Sequence, residues 1–175
     1  MESIREQGYT TVRVKLGLRF HFAAPFFLFI PFLLCCCGNS AFSGKCVGVA
    51  DGDTITVLRK AKATRIRLYG IDCPERGQDF YRVAKAFTSE HVYGKIVDVT
   101  PVDKDNYGRL VAWVSVNGKN LNKELVAVGL AWWYKKYAPN EVELGKLEKK
   151  ARKKKIGIWS LPKAIPPWEF RLENH

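Results

Sequence analysis

The chain has 175 residues, of which 47% are hydrophobic, and this length and composition suit one compact domain with a buried core and short additional segments. Its formal net charge of +12 predicts attraction to a polyanion, either nucleic acid or an anionic membrane surface, without choosing between them. Beyond residue 43 only Cys46 and Cys73 remain, and the three histidines are scattered along the chain, which excludes a zinc site.

Residues 1–43 are predicted to be a signal peptide or membrane anchor. Basic residues at positions 13–19 precede an apolar run over residues 20–37, as in export signals. Residues 41–43 offer a small-x-small cleavage motif, while the long basic region also fits a retained anchor, and the three consecutive cysteines of the run fit lipidation. We expect export, with the protein secreted or attached to the outer side of the cytoplasmic membrane through residues 20–37. A buried core segment is the competing interpretation.

Residues 44–71 show the apolar alternation of short strands. The alternation is interrupted at residues 51–53 and again over the polar residues 60–64, which predicts a three-stranded meander. The apolar period then becomes helical and predicts a helix over residues 78–93.

The second half of the domain adds strands and helices. Strands are predicted over residues 96–101 and 110–116, followed by a tight turn at Asn117-Gly118. Helices are predicted over residues 120–132 and 141–155. The order of these elements fits an α+β protein built on a five-stranded OB-fold-type β-barrel with three helices, here assigned to residues 44–160.

Residues 161–175 are predicted to be a proline-rich tail. Pro162, Pro166 and Pro167 argue against further regular structure there, because proline lacks a backbone donor.

Four acidic residues are expected near two strand ends. Asp51 and Asp53 flank a glycine in a turn, and an extended backbone would aim both carboxylates to the same side. Asp72 and Glu75 follow the third strand, where Pro74 stiffens the loop. A polar turn is the simpler interpretation of the first pair, but the four acids together could form an oxygen-rich cation site.

Arg67 and Arg109 are the candidate phosphate-binding residues. Arg67 lies in the third strand between two apolar residues, and Arg109 begins the fifth strand close to Asp103 and Asp105. Guanidinium groups can donate two hydrogen bonds to phosphate oxygens. The alternatives are a solvated surface arginine for Arg67 and a turn charge paired with an acid for Arg109.

From residue 44 to residue 159 the chain resembles the staphylococcal nuclease (thermonuclease) family. The resemblance rests on five blocks in order: DGDT at 51–54, IRLYGIDCPE at 66–75, DNYGR at 105–109, VNGKNLNKELVAVGLA at 116–131 and IGIWS at 156–160. It implies a five-stranded barrel with three helices and a Ca²⁺-dependent phosphodiesterase that acts on DNA and RNA and leaves 3′-phosphates.

The resemblance also implies a role for each site residue. Asp53 and Asp72 would bind Ca²⁺ directly and Cys73 would bind it through its backbone carbonyl, with Asp51 and Thr54 behind them. Glu75 matches the proposed general base, Arg67 and Arg109 the phosphate-binding arginines, and Tyr107 and Tyr137 the tyrosines of the nucleotide pocket.

Three positions depart from the family pattern. The family usually has threonine or alanine at Cys73, where only the carbonyl is needed, although a disulfide to Cys46 would pull the loop. Asn106 replaces a lysine and Lys135 replaces an aromatic residue, and both changes weaken the expected nucleotide contacts.

Two other functions stay open. Barrels of this type also bind oligonucleotides without cutting them, and a basic protein with an apolar N-terminus could adhere to anionic lipid. The basic residues 149–155 are interpreted first as the solvated face of a helix. We expect a monomer.

Overall fold

The computed structural model describes residues 40–173. In chain order its elements are β1 (Phe42–Asp51), β2 (Thr54–Arg59), β3 (Lys62–Leu68), β4 (Ile71–Asp72), α1 (Tyr81–Val92), β5 (Ile96–Lys104), β6 (Leu110–Val116), β7 (Lys119–Asn120), α2 (Leu121–Ala127), β8 (Trp132–Trp133), α3 (Val142–Lys154), a 3₁₀ turn (Gly157–Ser160) and α4 (Pro167–Glu173).

Five of the strands form a closed barrel. Antiparallel pairs join β3 to β2, β2 to β1, β1 to β5 and β5 to β6, and a parallel pair between β3 and β6 closes the ring. The alternation that predicted the strands is visible in β6, where every second residue from Leu110 to Val116 is buried. The predicted α+β fold with a five-stranded barrel is confirmed.

The core lies inside the barrel and beneath two helices. Ile55, Ile66, Val99 and Val114 are fully buried in the barrel, as is Leu125 on α2. On α1 the buried residues are Ala84, Thr88 and Val92. Burying these side chains supplies the main stabilisation of a domain of this size.

Buried Asn122 of α2 ties the helix to the barrel. Its side-chain amide donates to the carbonyls of Tyr69 and Ala112, at 2.9 and 3.2 Å, and its Oδ1 accepts from the backbone amide of Val114 at 3.1 Å. The bond to the Tyr69 carbonyl fixes the short connection between β3, which carries Arg67, and β4, which carries Asp72.

The predicted helix over residues 120–132 is too long. The helix α2 ends at Ala127, and the chain turns at Gly129, where φ is +70°. Trp132 and Trp133 then form β8, which pairs with Asp72 and Ile71 of β4. The helical period continues past residue 127, but the pairing with β4 requires extended backbone there.

The prediction of an irregular tail is also wrong, because Pro167–Glu173 forms α4. Pro167 is the first residue of this helix, and a proline at that position costs no hydrogen bond since the first amides of a helix have no partner within it. Proline therefore starts this helix and does not prevent it.

The N-terminal boundary falls close to the predicted one. Strand β1 begins at Phe42, and Phe42 and Ser43 pair with Val99 and Asp98 of β5. Cleavage after residue 43 would remove these two paired residues. The apolar run at 20–37 lies outside the described residues, and no helix between residues 40 and 173 is long and apolar enough to cross a membrane.

Candidate active site

A cleft of about 790 Å³ opens at one end of the barrel. Its walls come from the β1–β2 turn, the loop after β4, the loop between β5 and β6, and α4. The predicted site residues among its lining are Asp51, Asp53, Thr54, Arg67, Cys73, Glu75, Tyr107, Arg109 and Tyr137. Asp72 lies just beneath the surface, with 1% of its side chain exposed.

Arg67 lies between the carboxylates of Asp53 and Asp72. Its Nη1 is 2.6 Å from Asp53 Oδ2, and its Nη2 is 2.5 Å from Asp72 Oδ1. Strand pairing produces this arrangement, because Thr54 lies opposite Arg67 in the β2–β3 register and brings the preceding Asp53 beside it. Arg67 is only 15% exposed, so its interpretation as a solvated surface arginine is wrong.

The charges of this cluster depend on each other. Burial raises the pKa of Asp72 above its usual range, although Arg67 acts in the opposite direction. Burial also disfavours the charged guanidinium, but Asp53 and Asp72 outweigh this and hold the pKa of Arg67 above its ordinary value. Buried charges of one sign are tolerated only with paired charges of the other, so the two acids and the arginine form one unit.

Three further contacts orient the acids of the DGDT turn. The backbone amide of Cys73 donates to Asp53 Oδ2 at 2.7 Å, and the Thr54 hydroxyl donates to Asp53 Oδ1 at 3.1 Å. Tyr81 of α1 donates from its hydroxyl to Asp51 at 3.1 Å. Asp51 thus contacts α1 and lines the cleft.

Glu75 lies at the edge of the same cluster, 39% exposed. Its backbone amide donates to the Gln78 side chain at 2.8 Å, which fixes the loop. Its carboxylate Oε1 is paired with Nη1 of Arg171, a residue of α4. No hydrogen bond or ion pair within residues 40–173 engages the other oxygen, Oε2, which lies on a half-exposed side chain.

Arg109, which directly precedes β6, also lines the cleft. Asp105 holds it, with Arg109 Nε 2.6 Å from Asp105 Oδ2 and the Arg109 amide 2.9 Å from Asp105 Oδ1. Burial alone would raise the pKa of Asp105, but the hydrogen bonds from Arg109 outweigh it and lower that pKa. The pairing of Arg109 with an acid, which was the alternative interpretation of this residue, is present, and Arg109 also lines the cleft.

The two predicted tyrosines stand at the mouth of the cleft. Tyr107 is 86% exposed and Tyr137 is 62% exposed. The Arg109 guanidinium lies 5.5 Å from the centre of the Tyr107 ring, and Tyr134 packs edge-to-face on Tyr137. Exposed aromatic rings are suited to stacking on a base.

The possible disulfide between Cys46 and Cys73 is absent, since both residues are free thiols. Both are buried, and burial is the main reason that the pKa of each thiol is raised, well above its usual range for Cys73. A protonated, buried thiol is a poor nucleophile and a poor metal ligand. Cys73 can therefore serve a cation only through its backbone carbonyl.

The sequence did not predict that Arg171 belongs to the site, nor that Trp168 and Tyr134 stack beside it. Arg171 contacts Asp72 Oδ2 at 2.9 Å as well as Glu75, and Trp168 stacks on Tyr134. The resemblance ends by residue 160, and the prolines argued against structure beyond it. No motif therefore pointed to this segment.

The acids at the site have the chemistry of a hard cation's ligands. Asp53 and Asp72 direct carboxylate oxygens at one cationic group, the Arg67 guanidinium, and calcium prefers such oxygen ligands. However, no three acidic, cysteine or histidine side chains within residues 40–173 already surround a common point, because Arg67 and Arg171 separate them. These carboxylate oxygens fit calcium, provided that the cation takes the place of the guanidinium groups that now contact them.

The sequence is similar to that of known nucleases. A model of the family described as Staphylococcal nuclease homologue matches residues 65–161. An uncharacterised endonuclease of Escherichia coli is 43% identical over 129 residues, covering 73% of this chain and 84% of the relative. A micrococcal nuclease of Shigella flexneri is 36% identical over 140 residues, covering 74% and 80%.

Relatives that share a shorter segment occur in plants. A staphylococcal-like nuclease of Arabidopsis thaliana is 39% identical over 111 residues, which cover 63% of this chain and 34% of the relative. The family match, the long bacterial alignments and the barrel together establish the family. The chain belongs to the staphylococcal nuclease family and is a nuclease.

Proposed function

We propose that this nuclease is a Ca²⁺-dependent endonuclease that hydrolyses phosphodiester bonds of DNA and RNA with low sequence specificity and leaves 3′-phosphates. One observation carries the proposal: Asp53, Arg67, Glu75 and Arg109 line a single cleft, and Asp72 lies just beneath it, paired with Arg67.

Asp53 and Asp72 would hold the cation through their carboxylates, and Cys73 through its carbonyl. When bound, Ca²⁺ supplies positive charge beside a phosphate oxygen and so favours attack at phosphorus. Arg67 and Arg109 donate hydrogen bonds to the phosphate oxygens on which negative charge develops. For Arg67 this requires that its contacts with the two carboxylates be exchanged for phosphate.

Glu75 has the position and the free oxygen of a general base. Its Oε2 accepts a proton from the attacking water, the new bond forms between that water oxygen and phosphorus, and the bond to the 5′-oxygen breaks. The departing 5′-oxygen takes up a proton from solvent and becomes a hydroxyl group. The phosphate then stays on the 3′ side. Tyr107 and Tyr137 hold the neighbouring nucleotide by stacking and hydroxyl contacts.

The place of action is proposed from the leader sequence alone. Basic residues followed by the apolar run at 20–37 support export and attachment to, or release from, the outer side of the cytoplasmic membrane. We also propose, from the sequence alone, a leader over residues 1–43, a nuclease domain that begins at residue 44 and a monomeric state.

The principal alternative is an oligonucleotide-binding module without activity. It is disfavoured because the chain retains every acid and both arginines expected of the site. The experiment is to incubate the purified protein with labelled single-stranded DNA and with RNA, in Ca²⁺ and in EGTA. We expect fragments with 3′-phosphates in Ca²⁺ and intact, bound strands in EGTA. Binding without cleavage in both conditions would establish the alternative.

A further inference from the structure

The C-terminal helix α4 is fastened to the wall of the cleft. Trp168 stacks on Tyr134 with ring centres 5.1 Å apart and ring planes 8° apart. The side-chain amide of Gln78 donates to the carbonyl of Ile165 at 2.9 Å, just before the helix begins. Gln78 also accepts from the backbone amide of Glu75, so one side chain joins the α4 segment to the Glu75 loop.

Arg171 extends from this helix to two acids of the site. Its Nη2 lies 2.9 Å from Asp72 Oδ2, and its Nη1 is paired with Glu75 Oε1. Asp72 is 1% exposed and is also held by Arg67, whereas Glu75 is 39% exposed. The guanidinium therefore connects an immobile acid to one that is otherwise free to turn into solvent.

We propose that Arg171 is a positioning residue for the hydrolysis, in that it holds Glu75 by Oε1 and leaves Oε2 directed to the attacking water. The inference rests on the proposed role of Glu75 as the base. A planar guanidinium with two parallel donors can bridge two carboxylates, which an ammonium group cannot do in the same way. The family match ends at residue 161, so a segment beyond the matched domain completes this site.

The test is a double-mutant cycle with Arg171→Gln, Glu75→Gln and the double variant, assayed on single-stranded DNA in saturating Ca²⁺. Lys163→Gln is the matched control, because it removes one positive charge from the same exposed segment and has no contact with the cleft. We expect Arg171→Gln to lower kcat about 10–100-fold, as loss of an orienting partner typically does, with KM changed less than about threefold. Lys163→Gln should behave as the wild type.

The decisive comparison is made in the Glu75→Gln background. If Arg171 acts through Glu75, adding Arg171→Gln there should lower kcat less than about threefold. The inference would be overturned if Arg171→Gln lowered kcat equally in both backgrounds or left it at the wild-type value. A rise in kcat would also overturn it, because that is the result expected for a residue that blocks the site. Wild-type kcat in Glu75→Gln alone would instead refute the proposed function.

A second readout is independent of activity and of the cation. Urea unfolding of the same four proteins in EGTA should show that the two substitutions are not additive, because each removes one partner of the same ion pair. Additive losses of stability would contradict the contact. Should Arg171→Gln fail to fold, Arg171→Lys, which keeps the charge without the two-donor geometry, takes its place in the kinetic cycle with the same outcomes.

Discussion

Arg67 shows how the environment of a residue depends on strand pairing. Alternation in β3 directs it away from its apolar neighbours, and such a residue is usually solvated. The β2–β3 register instead places it beside Asp53, and β4 brings Asp72 to its other side. An arginine in this position neutralises two buried acids, a role that its own neighbours in sequence do not reveal.

Arg109 offers the sharpest single-residue test of phosphate recognition. Replacing it with alanine removes a donor to the phosphate, and we expect kcat/KM to fall about 10²–10³-fold, as for loss of one donor to a developing negative charge. The kcat/KM of Arg109→Lys should lie between those of the wild type and Arg109→Ala. The rates are measured on a short single-stranded DNA in saturating Ca²⁺.

The matched control for Arg109→Ala is Arg65→Ala. Arg65 is an exposed arginine of β3 that does not line the cleft, so its loss lowers the net charge equally. We expect its rate to stay within about twofold of the wild type. If both variants lose activity alike, the effect of Arg109 is one of overall charge and not of a specific donor.

At the scale of elements, short pieces of structure position the site. The pairing of β4 with β8 fixes Asp72, and β8 follows directly after the turn at Gly129. Gly129 in turn packs backbone to backbone against the segment after α3, with the Ile158 amide donating to its carbonyl at 2.8 Å. A Cβ at Gly129 would lie 2.3 Å from the Ile156 oxygen.

Gly129→Ala should therefore lower the free energy of unfolding by more than its left-handed backbone conformation alone accounts for. A left-handed alanine costs about 1–2 kcal/mol, and forcing the two segments apart adds about 1–3 kcal/mol. Gly94→Ala is the control, since Gly94 has φ of +75° with nothing within 4 Å of the added Cβ. Urea unfolding free energies should differ by more than about 1 kcal/mol between the variants. Equal losses would contradict the close packing.

The elements also mark the limits of prediction from sequence. Alternation identified the barrel strands, and β6 has the predicted bounds of residues 110–116. Periodicity failed at Trp132 and Trp133, because their partner strand β4 lies about sixty residues earlier in the chain. It failed again at Pro167, where a residue that interrupts helices instead begins one.

For the whole molecule, the charge of +12 favours association with a polyanion such as nucleic acid. Binding to single-stranded DNA in EGTA should weaken with salt, with a slope of log affinity against log salt of about −0.7 for each phosphate contact. With two to four contacts in the cleft we expect a slope between about −1.4 and −2.8. Fluorescence anisotropy at several salt concentrations measures it.

The basic face of α3 provides a control for this slope. Lys153 and Lys154 are exposed residues of the helix that do not line the cleft, and we interpret them as a solvated face. Replacing both with glutamine should leave the slope unchanged within about 0.3. A slope reduced by about 1.4, the value for two lost contacts, would show that this helix binds the strand.

The site as a whole was predictable in part. The acids and arginines of the motif blocks do meet in one cleft, because the blocks lie in the turns that the barrel brings together. Arg171, Trp168 and the contact of α4 with Glu75 were not predictable, since they depend on where a short C-terminal helix docks and not on a local pattern.

The most direct test of the central claim is the hydrolysis of single-stranded DNA by Glu75→Gln in saturating Ca²⁺, with affinity for the same strand measured in EGTA. If Glu75 is the base at a site formed with Asp53, Asp72, Arg67 and Arg109, the rate should fall about 10²–10⁴-fold while the affinity stays close to that of the wild type and the variant remains folded. Turnover at the wild-type rate would contradict the account.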